Sequence, residues 1–261
     1  MNIDLTGKTA LVCGSTQGIG WASAKMMAKM GARIVLLARN EDKLKARIED
    51  LKRISTQDHS YLAADFSKPE EVRSIILGWC ENDIANILVN NTGGPPGGAI
   101  AEANTTEFLS AFQQHLICNH IITQAVSQGM KQNGYGRVVN IISTSVKQPL
   151  NSLGVSNTIR GAVANWSKTM ANELGVFGIT VNNVLPGATA TSRLDQIIAN
   201  KASKSGKSQD EVLAMMASQV PMNRVAHPEE VASGIAFLCS PAASYINGIN
   251  LPIDGGRTKC L

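Results

Sequence analysis

The chain has 261 residues, 44% of them hydrophobic, 17% charged and 4% aromatic, with a formal net charge of +4. That length and apolar share fill one large core, while the small, dispersed charge argues against nucleic acid and no apolar run is long enough to span a bilayer. Five cysteines, odd in number and without metal-ligand spacing, read as reduced thiols, and the N-terminus has no signal-peptide pattern, so a cytoplasmic protein is expected.

In chain order, the run TALVC predicts a strand over 9–13, followed by a glycine loop and a helix over 18–30. A second strand over 33–38 precedes a helix over 41–54. Strands over 61–64 and 86–90 flank a helix over 69–80. A long helix over 105–131 leads to a strand over 137–142, and a helix over 154–176 to a strand over 179–185. In that last helix Ile159, Val163, Trp166, Met170 and Leu174 form one apolar stripe. Pro228 with Glu229 and Glu230 marks the start of a helix over 228–239, and a last strand falls at 249–253. The strands are short, β-branched and nearly continuous in apolar residues, which suits burial on both faces. Strand–helix–strand repetition implies right-handed crossovers: one single-domain Rossmann fold over 1–261, a doubly wound α/β sheet of about seven parallel strands. The polar stretch 192–226 reads as a helical insertion beside the ligand site, or as a solvated surface loop.

The loop Gly14-Ser15-Thr-Gln-Gly18-Ile19-Gly20 sits between a strand and a helix. Gly14 suits the turn, Gly18 a close approach to a diphosphate and Gly20 the packing of helix on strand; the helix N-terminus supplies N–H groups and partial positive charge. Arg39 ends the second strand, where an acid would bind the ribose hydroxyls of NAD. An Arg there favours NADP(H), with NAD(H) as the alternative.

The glycine loop, Asp65, Asn90-Asn91-Thr92-Gly93, Asn140 to Ser143, Pro186-Gly187 and Asp254-Gly255-Gly256 together resemble the short-chain dehydrogenase/reductase family over essentially the whole chain. The resemblance implies that Asp65 meets the adenine, that Asn91 to Gly93 line the adenosine side, and that Pro186, Gly187 and Thr191 lie by the nicotinamide. Taken singly, Asp65 reads equally as a turn cap and the 91–97 segment as a loop. The resemblance also implies a homotetramer or homodimer joined through the helices over 105–131 and 154–176.

The family's catalytic set is an Asn, a Ser and a Tyr-x-x-x-Lys. Ser143 matches the Ser, whereas Ser156 stands at the Tyr position and Arg160 at the Lys position. His115 stands at the Asn position, with Asn119, one turn on, as the alternative. Hydride transfer to a carbonyl builds charge on oxygen, which needs a hydrogen-bond or proton donor. Ser143 and Ser156 would bind that oxygen, Arg160 would support it and hold the nicotinamide ribose, and His115, the group titrating nearest neutrality, would feed the proton. Each has a bland reading: His115 as a core histidine, Ser156 as a helix-start residue, Arg160 as the partner of an acid. Two functions remain open: a carbonyl/alcohol oxidoreductase acting on a small molecule, or a dinucleotide-binding sensor or assembly protein without redox chemistry.

Overall fold

The structure, a computed structural model, describes residues 1–260. Seven parallel strands form one sheet: β1 (Thr9–Cys13), β2 (Arg33–Ala38), β3 (Ser60–Ala63), β4 (Ile87–Asn90), β5 (Gly136–Ile141), β6 (Ile179–Pro186) and β7 (Asn250–Ile253). Their spatial order is β3-β2-β1-β4-β5-β6-β7. The order reverses between β1 and β4, and a crevice opens there beyond the strand ends.

The pleat explains the double winding. Ala10, Val12, Ile34 and Leu36 face one core, with α1 (Gly18–Lys29), α2 (Glu41–Lys52) and α9 (Pro228–Cys239). Leu11, Cys13, Val35 and Leu37 face the other, with α3 (Pro69–Cys80), α5 (Cys118–Asn133) and α6 (Gly154–Leu174). Alternate residues therefore serve opposite faces, and both are apolar. Helix starts follow local chemistry: the Asn40 side chain accepts from the Lys43 N–H at 2.8 Å ahead of α2, and Glu230 accepts from the His227 N–H at 2.8 Å at the start of α9.

Two differences from the predicted elements bear on function. The single helix predicted over 105–131 is a rod of α4 (Thr105–Phe112), one π-helical turn (Gln113–Ile117) and α5. The stretch 192–226 carries two helices, α7 (Ser192–Ser205) and α8 (Gln209–Ser218).

A row of side-chain amides crosses the middle of the sheet. Asn90 donates to the Asn140 carbonyl oxygen at 2.9 Å, Asn140 to Asn183 at 3.0 Å and Asn183 to Asn250 at 2.8 Å. These four residues are register partners on β4, β5, β6 and β7. These bonds, with a second from the Asn90 amide to the Thr123 hydroxyl at 3.3 Å, permit Asn90, Asn140 and Asn183 to be buried, although the Asn90 carbonyl oxygen at the head of the row has no partner.

Candidate active site

The crevice is closed at its base by Asn91, whose side-chain amide donates to the carbonyls of Cys13 at 3.3 Å and Gly14 at 3.1 Å. Gly14 has φ +56°, and a Cβ there would lie 2.6 Å from the Asn91 carbonyl oxygen. A Cβ on Gly20 would come within 2.4 Å of the Gly14 carbonyl oxygen, so the first turn of α1 lies directly on the end of β1. Gly18, at φ +57°, faces Thr191 across the cleft: a Cβ there would lie 3.1 Å from the Thr191 methyl. The result is a cradle of backbone at a helix N-terminus, which suits a diphosphate. Ile19 packs partly into the core beneath. The Ser15 hydroxyl is buried and turned toward the Leu37 carbonyl, so the phosphate face receives main chain there rather than that hydroxyl.

Beside the cradle lies a cavity of about 430 Å³ lined by Arg39, Asn40, Ala63, Ala64, Asp65, Lys68 and Glu71. Asp65 accepts from the Ser67 N–H at 2.9 Å; that bond, with help from the Arg39 charge, holds its carboxyl below the usual range. Arg39 makes no ion pair with the described residues and is exposed at the cavity mouth. Arg47 braces the loop from behind, donating to the Thr16 carbonyl at 3.0 Å while stacking on Trp21.

At the other end, β5 runs into Ser143, whose oxygen accepts from the Ser145 N–H at 3.1 Å and keeps its own proton free to donate. Ser156, half-buried, occupies the first turn of α6 and makes no hydrogen bond to the described residues. Arg160 is one turn on, on the same face. It is 7% exposed; Nη1 donates to the Ile141 carbonyl at 2.9 Å and Nε has no partner. No carboxylate pairs with it among the described residues, so the reading of Arg160 as the partner of an acid does not hold.

The π turn carries His115, 2% exposed and hydrogen-bonded through Nδ1 to the Thr92 hydroxyl. A π turn shifts the side chains that follow it around the helix and recurs at functional sites. Burial, reinforced by the Arg160 charge, brings the His115 pKa down to about 2. The expected titration near neutrality is therefore corrected: His115 is a neutral ring. Asn119, one turn on, is also buried, with its carbonyl oxygen unpartnered.

Pro186 and Gly187 continue β6 past the sheet edge, the Gly187 N–H donating to the Ile253 carbonyl at 2.9 Å. The Thr191 hydroxyl accepts from the Leu194 N–H at 3.4 Å and caps α7. Gly93, where an added Cβ would meet nothing within 4 Å, opens the loop on the opposite lip. The sequence reading missed Arg193, in the first turn of α7, which donates to the Pro95 carbonyl at 2.6 Å and so bridges the two lips of the cleft. A cation where a helix dipole is already positive was the available signal.

The family model described as enoyl-(acyl carrier protein) reductase matches residues 14–258. The chain is 30% identical over 259 residues to the NADPH-dependent reductase BacG of Bacillus subtilis, covering 98% of this chain and all of that one. It is 30% identical over 257 residues to the 3-oxoacyl-[acyl-carrier-protein] reductase FabG of Vibrio cholerae, covering 97% of this chain and 98% of that one. L-sorbose reductase from Gluconobacter frateurii, solved with NADPH and L-sorbose, superposes with a TM-score of 0.94 at 31% identity over the full length of both chains. Match, sheet order and glycine cradle agree: the chain belongs to the short-chain dehydrogenase/reductase family.

Proposed function

We propose that the chain is an NADP(H)-dependent oxidoreductase that interconverts a carbonyl and an alcohol through a non-standard active site. The observation that carries this reading is Arg160, a buried guanidinium with a free Nε one helical turn from Ser156. The residues fit a dinucleotide: the cradle at Gly14, Gly18 and Gly20 has no room for side chains, and Arg39 stands at the mouth of the adjoining cavity without an acid partner. The NADPH named with BacG and with the sorbose reductase supports the same choice of cofactor.

In this reading Gly14 to Gly20 hold the diphosphate, Arg39 the 2′-phosphate, Asp65 the adenine and Asn91 and Gly93 the adenosine ribose. Arg160 holds the nicotinamide ribose, and Pro186, Gly187 and Thr191 flank the nicotinamide. The bound dinucleotide supplies or accepts a hydride at the carbonyl carbon. Ser143 and Ser156 donate hydrogen bonds to the carbonyl oxygen, and Arg160 stabilises the charge that grows there. A Ser hydroxyl is far less acidic than a phenol, and Arg160, though brought down to about 10 by burial and then by Arg193, stays protonated at neutral pH. His115, neutral, accepts at one nitrogen and donates at the other, so it relays a proton from solvent without storing one. The segment 192–226 serves as the substrate lid. The protein is cytoplasmic and assembles through the α4–α5 rod and α6, where Leu109 is 65% exposed. Among the described residues no helix is long and apolar enough to cross a membrane.

The test is a titration with NADPH and NADH followed by a carbonyl and alcohol panel. Expected are NADPH binding and slow turnover that rises in Ser156→Tyr/Arg160→Lys. Tight NADPH binding with no turnover on any substrate would leave the sensor or assembly reading in its place.

A further inference from the structure

Positive charge converges on the substrate end of the cleft with nothing on the protein to neutralise it. Arg160 approaches from α6, buried, with its Nε unpartnered. Arg193 approaches from the lid, near enough for its charge to add to burial in depressing Arg160. The N-terminus of α7, a helix of 14 residues, adds its own partial positive charge at Arg193. Neither guanidinium forms an ion pair among the described residues; Asp195, also in the first turn of α7, is exposed and pairs with neither. Two guanidiniums and a helix N-terminus facing one cleft repel each other unless an anion joins them.

Arg193 makes one side-chain hydrogen bond to the described residues. Its Nη2 donates to the Pro95 carbonyl, a neutral acceptor on the far lip, and a Cβ on Gly94 would sit 3.5 Å from its Nε. That lip reads Gly93-Gly94-Pro95-Pro96, and its two prolines have no N–H to offer an anion. The charged donors for a negative group therefore stand on the lid side, at Arg193.

Building on the carbonyl-reductase reading, we infer that the substrate is an oxo acid whose carboxylate is bound by Arg193, with the buried Arg160 charge adding to the positive potential there. Arg193 exchanges the Pro95 carbonyl for a carboxylate, a charge-assisted and stronger acceptor. Binding the acid then draws α7 over the cleft and couples substrate recognition to closure. The carbonyl reduced is thereby fixed at a set distance from the acid group, which selects chain length as well as charge.

The experiment compares 2-, 3- and 4-oxo acids of five to ten carbons with their methyl esters, using NADPH, in the parent protein, Arg193→Gln and Arg193→Lys. The acids should exceed their esters in kcat/KM by about 10- to 100-fold, the scale of a hydrogen bond to a charged group. Arg193→Gln should erase that preference mainly through KM, lowering acid use far more than ester use, and Arg193→Lys should restore part of it. Equal use of acid and ester across the series overturns the proposal and leaves the reductase reading standing. So does an Arg193→Gln protein that loses NADPH affinity by the same factor, because Arg193 would then serve the cofactor diphosphate. If no compound turns over, the reductase reading fails separately, and calorimetry of hexanoate and methyl hexanoate against the NADPH complex decides. Saturable binding of hexanoate alone, lost in Arg193→Gln, supports the anion site; no binding overturns it.

Discussion

Asn91 reaches across the strand-order switch and donates its side-chain amide to the Gly14 carbonyl at 3.1 Å, so the last turn of one half of the fold holds the glycine loop of the other. Its second bond, to Cys13, anchors the same loop at its root. Asn91→Ala removes both donors and leaves two part-buried carbonyls to find water. We expect about 1–3 kcal/mol lower stability by urea denaturation and about tenfold weaker NADPH binding by fluorescence titration. Unchanged affinity would show that the loop holds its shape without the bridge.

Gly20→Ala sets two effects against each other. Alanine favours the helix by about 1 kcal/mol over glycine. The new methyl would stand 2.4 Å from the Gly14 carbonyl oxygen, a main-chain atom that cannot swing aside. Overpacking against backbone should win, with a net loss of about 1–2 kcal/mol, read as a lower denaturation midpoint. A stabilised variant would disprove the close seating of α1 on β1.

Arg39→Ala tests the cofactor assignment. NADPH affinity should fall about 10- to 100-fold while NADH affinity stays level, since only the 2′-phosphate loses its partner. Parallel losses for both dinucleotides would place Arg39 on some group that they share.

His115 makes a prediction about pH. In the unfolded chain its pKa is near the ordinary 6.5; in the fold it is about 2. The folded state therefore binds fewer protons, and the stabilisation is whole above pH 6.5 and lost as pH falls toward 2. The slope approaches about 1.4 kcal/mol per pH unit below 6 from this one ring. His115→Gln should flatten the stability profile between pH 4 and 6.5. Arg160→Gln, which removes a like charge, should raise the His115 pKa, measurable by NMR of the ring. A rate profile of the parent protein should show no inflection near 6.5 arising from His115.

The strands were legible because each is an apolar run buried on both faces, and the glycine loop because its strand and helix flank it closely. Residues 113–117 gave no warning of a π turn, since one wider turn leaves the apolar spacing around Leu116 and Ile117 almost intact. The protonation of His115 was equally hidden: it depends on burial and on Arg160, 45 positions away in the chain. In 192–226 the residues are polar, which left a helical insertion and a solvated loop both open, and nothing in the pattern singled out Arg193. What distinguishes it is its position at a helix start, with its one hydrogen bond crossing to the Pro95 carbonyl on the opposite lip.

The amide row through Asn90, Asn140, Asn183 and Asn250 acts as a datum line for the whole cleft. Every amide points the same way along it, each donating to the next. A one-residue slip of β5 or β7 in either direction would set an aliphatic side chain into the row and strand its neighbours' amides, so the strand ends are levelled against each other before any loop begins. Ser143 follows Asn140 by the same three positions that Pro186 follows Asn183, and Asn91 follows Asn90 directly. The loops are free to vary in length and chemistry because the points from which they depart are surveyed from one common baseline.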